Sequence, residues 1–310
     1  MFTLVGNPAP TSPLFFRMKY LQQFTPEICN TVDTPGATVT TVTNVNGYDY
    51  QPGGNIVPST TIRDSRDEQE YTIRKLADGN CWMTENLRLG KNGPLTLNSE
   101  NSNLASGRTF NLPAATTVPG PSWGNQQEYP FVYYREDNPG ASPSGPSGLY
   151  NWYTATAGAR DASGNSLMTE ETGLAVDSVC PKGWKLPING GIDMDKSYGK
   201  LVYVYTGATG NSSADTETSS AQAAINEERI NKLLAKPTEF VYSDYYNYGG
   251  TLYSRPVGRY WSASVYSASN SRRLNFNTNG TTRGLSPQDG NSKGYAFAVR
   301  CVGVVRGLLF

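Results

Sequence analysis

Residues 258–301 read GRYWSASVYSASNSRRLNFNTNGTTRGLSPQDGNSKGYAFAVRC, and the alternation inside this stretch decides the fold. Residues 259–266 (RYWSASVY) and 294–301 (GYAFAVRC) alternate large and small side chains with period two, the pattern of strands that bury one face. Between them lies a polar stretch rich in Asn, Ser, Thr, Gly and Arg, with a short strand expected at residues 273–277 (RLNFN). Framework strands thus hold a polar, hydrogen-bonding surface between them. Ser and Asn mixed with a few Tyr and Arg compose a surface able to contact many partners, as antibody loops do. An ordinary hairpin-rich end of a β domain would give the same pattern.

Upstream of this stretch, residues 219–236 (SSAQAAINEERINKLLAK) predict a helix. Ser219 or Ser220 can cap it, Ala, Ile and Leu supply its apolar stripe, and Pro237 ends it. Residues 192–205 predict a second helix with Met194, Tyr198, Leu201, Val202 and Tyr205 on one face, weakened by Gly199. Residues 70–76 and 81–83 predict strands joined by the turn Asp78-Gly79-Asn80. Residues 90–148 read as loop, apart from a strand at 131–135 (FVYYR). Near the start, 13–24 predict a short amphipathic helix stopped by Pro26, and 37–45 (ATVTTVTNV) a strand. Residues 1–60 therefore read as an arm packed on a body that spans 61–306, with 258–302 as the ligand-binding region.

Apolar residues make up 37% and charged residues 17% of the 310, which excludes a disordered or tail-like chain. Twenty tyrosines, 32 glycines and 20 prolines favour strands and turns. The formal net charge is zero and no Lys/Arg cluster stands out, so duplex nucleic acid is not an expected partner. The absence of histidine excludes Ser-His-Asp and Cys-His chemistry and His-dependent zinc sites. Cys29, Cys81, Cys180 and Cys301 form no CxxC motif. Their wide spacing is compatible with two disulfides and an oxidising compartment. Of three possible pairings, Cys29–Cys81 with Cys180–Cys301 is favoured. The latter closes a loop of 121 residues, which the chain-entropy account values at roughly 4–5 kcal/mol. No apolar run is long enough to span a membrane. The start, MFTLVGNPAPTSPLFF, makes a poor signal peptide. The expectation is an extracellular or cell-surface protein whose leader or anchor is absent from this chain.

Five segments line up in order: DGNCWMTENLRL (78–89), GLYNWYTA (148–155), CPKGWKLP (180–187), YWSAS (260–264) and GYAFAVRCV (294–302). Together they resemble the Fibrobacter succinogenes major paralogous domain, from about residue 61 to about 302. The resemblance implies an α+β, C-type-lectin-like fold with two main helices, twisted antiparallel sheets and long loops. It also implies a Cys180–Cys301 bridge. The C-terminal part is similar to the variable regions of diversity-generating retroelement proteins, in which chosen surface residues are rewritten on a fixed scaffold. Surface changes away from packing usually cost within about 0.5 kcal/mol, so a pinned frame tolerates them.

The expected ligand-binding residues are those read as outward or in loops: Tyr266, Ser269, Asn270, Arg272, Asn275, Asn277, Asn279, Arg283, Gln288, Asp289, Asn291 and Lys293. Tyr245, Tyr246 and Tyr248 extend the patch. Tyr and Arg would anchor a ligand, with Asn and Ser adapting to it. Trp82, Trp152, Trp184 and Trp261 read as core. Asn189, Asp193 and Asp195 offer oxygen ligands, but lack an EF-hand spacing, and the two aspartates suit a helix start. No metal or cofactor is therefore expected. The pairs Asp64/Asp67 and Glu227/Glu228 read as solvated charge. The expectation is a non-catalytic recognition protein whose partner is a protein or glycan on another cell or surface. The alternatives are a structural surface or pilus subunit and an enzyme of the formylglycine-generating type. The sequence assigns no oligomeric state.

Overall fold

The computed structural model describes residues 59–116, 130–135, 145–190, 193–208, 220–278 and 284–303. The expected arm up to residue 58, the Cys29–Cys81 bridge through Cys29, and residues 304–306 lie outside that set. The architecture is α+β, dominated by sheet. A five-stranded sheet has the order β1-β2-β3-β17-β10: Ser59–Arg63, Glu70–Lys75, Cys81–Met83, Val302–Gly303 and Trp184–Lys185. The larger sheet runs β12-β11-β16-β13-β14-β15: Leu252–Tyr253, Tyr245–Tyr246, Ala296–Ala298, Val257–Val265, Asn270–Asn277 and Gly284–Ser292. Two further strands, β8 (Ser147–Asn151) and β7 (Val132–Arg135), join it through β16. Two small two-stranded sheets form, one from β4 (Leu95–Asn98) with β6 (Thr109–Leu112) and one from β5 (Ser102–Asn103) with the distant β9 (Ser178–Pro181).

Alternation along β13 and β14 sorts side chains between two cores. Tyr260, Leu274, Phe276 and Leu285 face one side and are fully buried, with Tyr198, Leu201 and Val202 of helix α2 (Tyr198–Thr206) and Ile230 and Leu233 of α3 (Ser220–Leu234). Trp261, Val265 and Phe297 face the other, in a core with Ile73, Met83, Leu97, Val179 and Trp184. Each such aliphatic or aromatic side chain contributes roughly 1.5–3 kcal/mol by leaving water. A third, four-residue helix, α1 (Trp152–Ala155), is capped by the Asn151 side chain.

The five sequence segments knit this frame together. Asp78 is buried in its turn and accepts from the Trp82 indole at 2.9 Å and the Asn80 amide at 2.9 Å. The Trp152 and Trp261 indoles donate to the Ser262 and Tyr150 carbonyls at 2.9 and 2.7 Å. All four expected core tryptophans are 0–1% exposed. Arg300, 1% exposed, donates to Asn86 Oδ1 at 3.0 Å and the Thr238 carbonyl at 2.6 Å, and also to the Glu239 carbonyl. Cys180 in β9 is bridged to Cys301, between β16 and β17, with a Cα–Cα distance of 5.9 Å. The covalent link therefore fastens the β5–β9 pair to the point where the chain passes from β16 of the large sheet to β17 of the five-stranded one.

Four expectations need correction. Helix α2 begins at Tyr198, not 192, because Ser197 caps it by accepting from the Lys200 amide at 3.0 Å and Lys196 has a left-handed φ of 58°. Met194 is consequently outside the helix and exposed. Asp195 lies ahead of the cap and binds Asn80 Nδ2 at 3.0 Å. The stretch 90–116, expected as loop, contains the β4–β6 hairpin, with Leu97 opposite Phe110 and Leu95 opposite Leu112. The polar stretch after residue 277 contains a nine-residue strand, β15, held by its pairing with β14. Asp64 and Asp67, expected as solvated, are 1% and 7% exposed. Asp64 forms a bidentate pair with Arg66 at 2.9 and 2.6 Å, and Arg66 reaches Ser102 Oγ and the Val179 carbonyl, both at 2.8 Å. The charged turn is thus a clasp onto β5 and β9. Glu228 does lie exposed on α3, paired with Lys232 at 2.8 Å. Among the described residues no helix is long and apolar enough to cross a membrane.

Candidate functional site

On the side of the large sheet away from the helices, beyond the Trp261 core, strands β11 to β15 carry a run of tyrosines and arginines. Tyr245 stacks on Tyr253 with centroids 4.8 Å apart and planes at 2°, and lies parallel to Tyr295 at 6.1 Å. Tyr248, 46% exposed, leans on Tyr295 at 5.5 Å. The Arg259 guanidinium lies 3.6 Å above the Tyr245 ring and 5.5 Å from Phe297. Arg273 lies 5.0 Å from the Phe297 ring. Asn275 is the cross-strand partner of Arg259, and Asp289 that of Arg273. Cation–π contacts of this kind contribute about 0.5–2 kcal/mol each, more as water is excluded.

The charges on this face do not balance. Arg273, 4% exposed, donates from Nε and Nη2 to Asp289 Oδ2 at 3.1 and 2.5 Å. Among the described residues Arg259 joins no ion pair, and its Nε is buried with no hydrogen-bond partner. Arg273 Nη1 and Asn275 Oδ1 are likewise buried and unpartnered. Burial, and then the neighbouring Arg273 guanidinium, push Arg259 down to about 9, which leaves it charged at neutral pH. Burial also pushes Arg273 down, opposed by Asp289.

The expected site residues do not form one contiguous face. Tyr245, Tyr248, Asn275, Asn277 and Asp289 belong to the Tyr/Arg face; Asn291, opposite Ser271, extends it by register. Arg272 alternates with Arg273 and so points the other way. It lies 4.1 Å over the Tyr266 ring and donates to the Gln288 carbonyl at 2.7 Å, while Gln288 Nε2 donates to the Gly190 carbonyl at 3.2 Å. Tyr266 is 47% exposed, and it covers Gly290 so closely that a Cβ there would meet its ring at 2.7 Å. Ser269 is exposed and Asn270 half-buried at the turn between β13 and β14.

Three expected residues are buried: Tyr245 within the Trp261 core, and Tyr246 and Lys293 completely. Lys293 is fully buried, its ammonium donating to the carbonyls of Leu167, Met168 and Ala268 at 2.8, 3.0 and 2.9 Å. Three backbone acceptors replace its water, which is why a lysine can be enclosed there. Tyr246 is fully buried, within 5.5 Å of the Phe131 and Tyr133 rings. Asn279 and Arg283 lie outside the described residues. Sequence reasoning passed over Arg259, Arg273, Tyr253 and Tyr295. The available signal was the phase of β13 and β14, which sets Arg259 with Trp261 and Arg273 with Asn275 and Asn277 on one face.

Elsewhere, a cavity of about 440 Å³ is lined by Arg74, Arg88, Arg300, Glu85 and Glu239 among others. Its charges are committed to structure: Arg74 pairs with Glu239, Arg88 with Glu85, and Arg300 with backbone carbonyls. Asp195, considered above as a cation ligand, is engaged by Asn80, Lys196 and Lys200. No group of three or more Cys, Asp or Glu suited to a metal ion occurs among the described residues. Comparison of the chain with protein-family models, characterised proteins and solved structures finds no match.

Proposed function

We propose that this chain is a recognition protein without chemistry of its own, binding a protein or glycan on another cell or surface through the Tyr/Arg face. In this reading the fold is C-type-lectin-like, and the outward positions near the C-terminus vary as in retroelement-diversified proteins. One observation supports it above the others: next to the wholly buried residues of strands β13 and β14, polar side chains stand partly open among tyrosines. Tyr260, Leu274 and Phe276 are 0% exposed and carry the packing. Arg259, Asn275 and Asn277 stand half-buried between them in sequence. Side chains on such a face can change with little effect on the core, because successive strand residues point to opposite sides. Tyr and Arg are also the residues that most often dominate binding energy at interfaces.

Sequencing this locus from many isolates tests the reading. Substitutions should concentrate at outward positions between 245 and 295, with Cys180, Cys301, Arg300 and the four core tryptophans unchanged. Substitutions spread evenly over frame and face, or an invariant face, would overturn it.

A further inference from the structure

The cavity of about 440 Å³ lies between the five-stranded sheet and the chain that follows α3. A row of cross-strand neighbours forms one side of it. Thr61 of β1 stands opposite Thr72 of β2, and the amide of Thr84, just past β3, donates to the Thr72 carbonyl at 2.9 Å. Arg74 shares the face of Thr72 by strand period and donates to Thr84 Oγ1 at 3.0 Å. Glu85, Asn86 and Arg88 line a second side, and Glu239, Val241 and Arg300 a third. Thr61, Pro146 and Lys236 are exposed at the rim, so the cavity opens to solvent.

Its charge is mixed, with an excess of cations. Arg74, Arg88, Lys236 and Arg300 face two carboxylates, Glu85 and Glu239. Both carboxylates keep accepting capacity. Glu85 accepts from the Thr72 amide at 2.6 Å through Oε2, while its Oε1 meets Arg88 Nη1 only at 3.5 Å. Glu239 pairs with Arg74 through Oε2 alone. The two glutamate side chains are 40% and 33% exposed. Glu239 has a left-handed φ of 48°, and its carbonyl accepts from Arg300. Non-glycine residues held in that region cost free energy and cluster where a site is shaped.

We propose that this cavity binds a sugar acid, a polyhydroxylated ligand bearing one carboxylate. The carboxylate accepts from Arg88 and is drawn in by Lys236. The hydroxyls donate to Glu85 Oε1 and Glu239 and exchange hydrogen bonds with the Thr72 hydroxyl. The lining decides among ligand classes. Phosphate brings mainly acceptors and a charge close to two, which the glutamates repel. A neutral sugar leaves the excess of cations unanswered, and an apolar ligand strips water from all of these charges. The volume falls in the range of small-molecule sites, about 300–1,000 Å³. The cavity shares no residue with the Tyr/Arg face, so the assignment stands apart from the recognition reading.

The test is calorimetric titration of the full chain with glucuronate, galacturonate and gluconate, with glucose and inorganic phosphate as comparison probes, at low and physiological salt. At least one sugar acid is expected to bind, about tenfold or more tighter than glucose or phosphate. Arg88→Gln should weaken it by about tenfold or more. Arg88 also donates to the Glu70 carbonyl at 2.6 Å, so Lys236→Gln at the exposed rim is the second variant. It should weaken binding severalfold at low salt, with the difference narrowing as salt rises. Lys182→Gln, at an exposed lysine outside the cavity and paired with Glu100, should change nothing. The assignment is overturned if none of the three sugar acids binds, if glucose or phosphate binds as tightly, or if binding ignores both cavity variants. Sugar-acid binding in a protein whose Tyr/Arg face is invariant among isolates would sink the recognition reading and leave this site standing.

Discussion

Replacing Asp67 with asparagine should stabilise the protein at neutral pH, and the gain should fade on acidification. Asp67 sits in the β1–β2 turn, 7% exposed. Its Oδ1 accepts from the Gln69 amide at 3.2 Å, while its Oδ2 is buried without a partner. Burial, and then the Asp64 carboxylate, push the Asp67 carboxyl up from 3.8 to about 6. Between those two values the folded protein holds a proton that the unfolded chain has released, so stability falls as pH rises through the window. A difference of about two pKa units corresponds to roughly 3 kcal/mol. The figure is a ceiling, because denatured chains keep some of the local environment. Asparagine preserves the Oδ1 acceptor and removes the charge. D67N should therefore exceed wild type by about 1–3 kcal/mol above pH ~6, and match it near pH ~4. Urea unfolding of both proteins across that range measures the difference directly. A variant no more stable than wild type at neutral pH, or an advantage unchanged by acid, would refute the placement of an uncompensated carboxylate in this turn.

Replacing Cys180 and Cys301 together with alanine should cost about 4–5 kcal/mol through the reopened 121-residue loop, read as a lower urea midpoint. Gly258→Ala drives a Cβ to within 2.0 Å of the Phe276 ring, and should cost about 1–3 kcal/mol by overpacking, visible as a fall in melting temperature. Lys293→Met leaves the carbonyls of Leu167, Met168 and Ala268 without their donor and should lose roughly 2–4 kcal/mol at neutral pH. Burial pushes Lys293 down to about 8, so between there and 10.5 the unfolded chain holds a proton that the fold has lost. Wild-type stability should rise with pH across that interval, and the methionine variant should lack the rise.

The frame was legible where one strand carries its own pattern. The large–small alternation around β13 and β16 marked them as strands, although they bury both faces and not the one expected, and the turn at 78–80 announces β2 and β3 through Asp-Gly-Asn. The β4–β6 hairpin was not legible because each strand offers only two inward residues, Leu95 and Leu97 or Phe110 and Leu112, set in a sea of Asn, Ser and Gly. β15 has no inward alternation of its own along PQDGNS; its strand geometry is imposed by β14, with a bulge between Arg273 and Asn275 absorbing the mismatch. Helix α2 shows a related limit. Two aspartates upstream looked like a helix start, but Ser197, further along, supplied the side-chain oxygen that caps it.

The candidate site was legible in composition and not in membership, for a reason that applies to any sheet. A strand sequence fixes which residues share a face, but the partner strand fixes what they meet. Arg259 and Arg273 stand 14 positions apart in the chain and come together only because Trp261 pairs with Arg273 and Arg259 with Asn275. A register slipped by one residue would send Arg273 into the helix-facing core and Leu274 to the tyrosines. The core forbids that slip, since Leu274 and Phe276 are wholly enclosed against α2, α3 and Tyr260. Packing on one side of β14 thus dictates the unmatched charge on the other, and a buried aromatic core holds a hydrophilic site in place without contributing an atom to it.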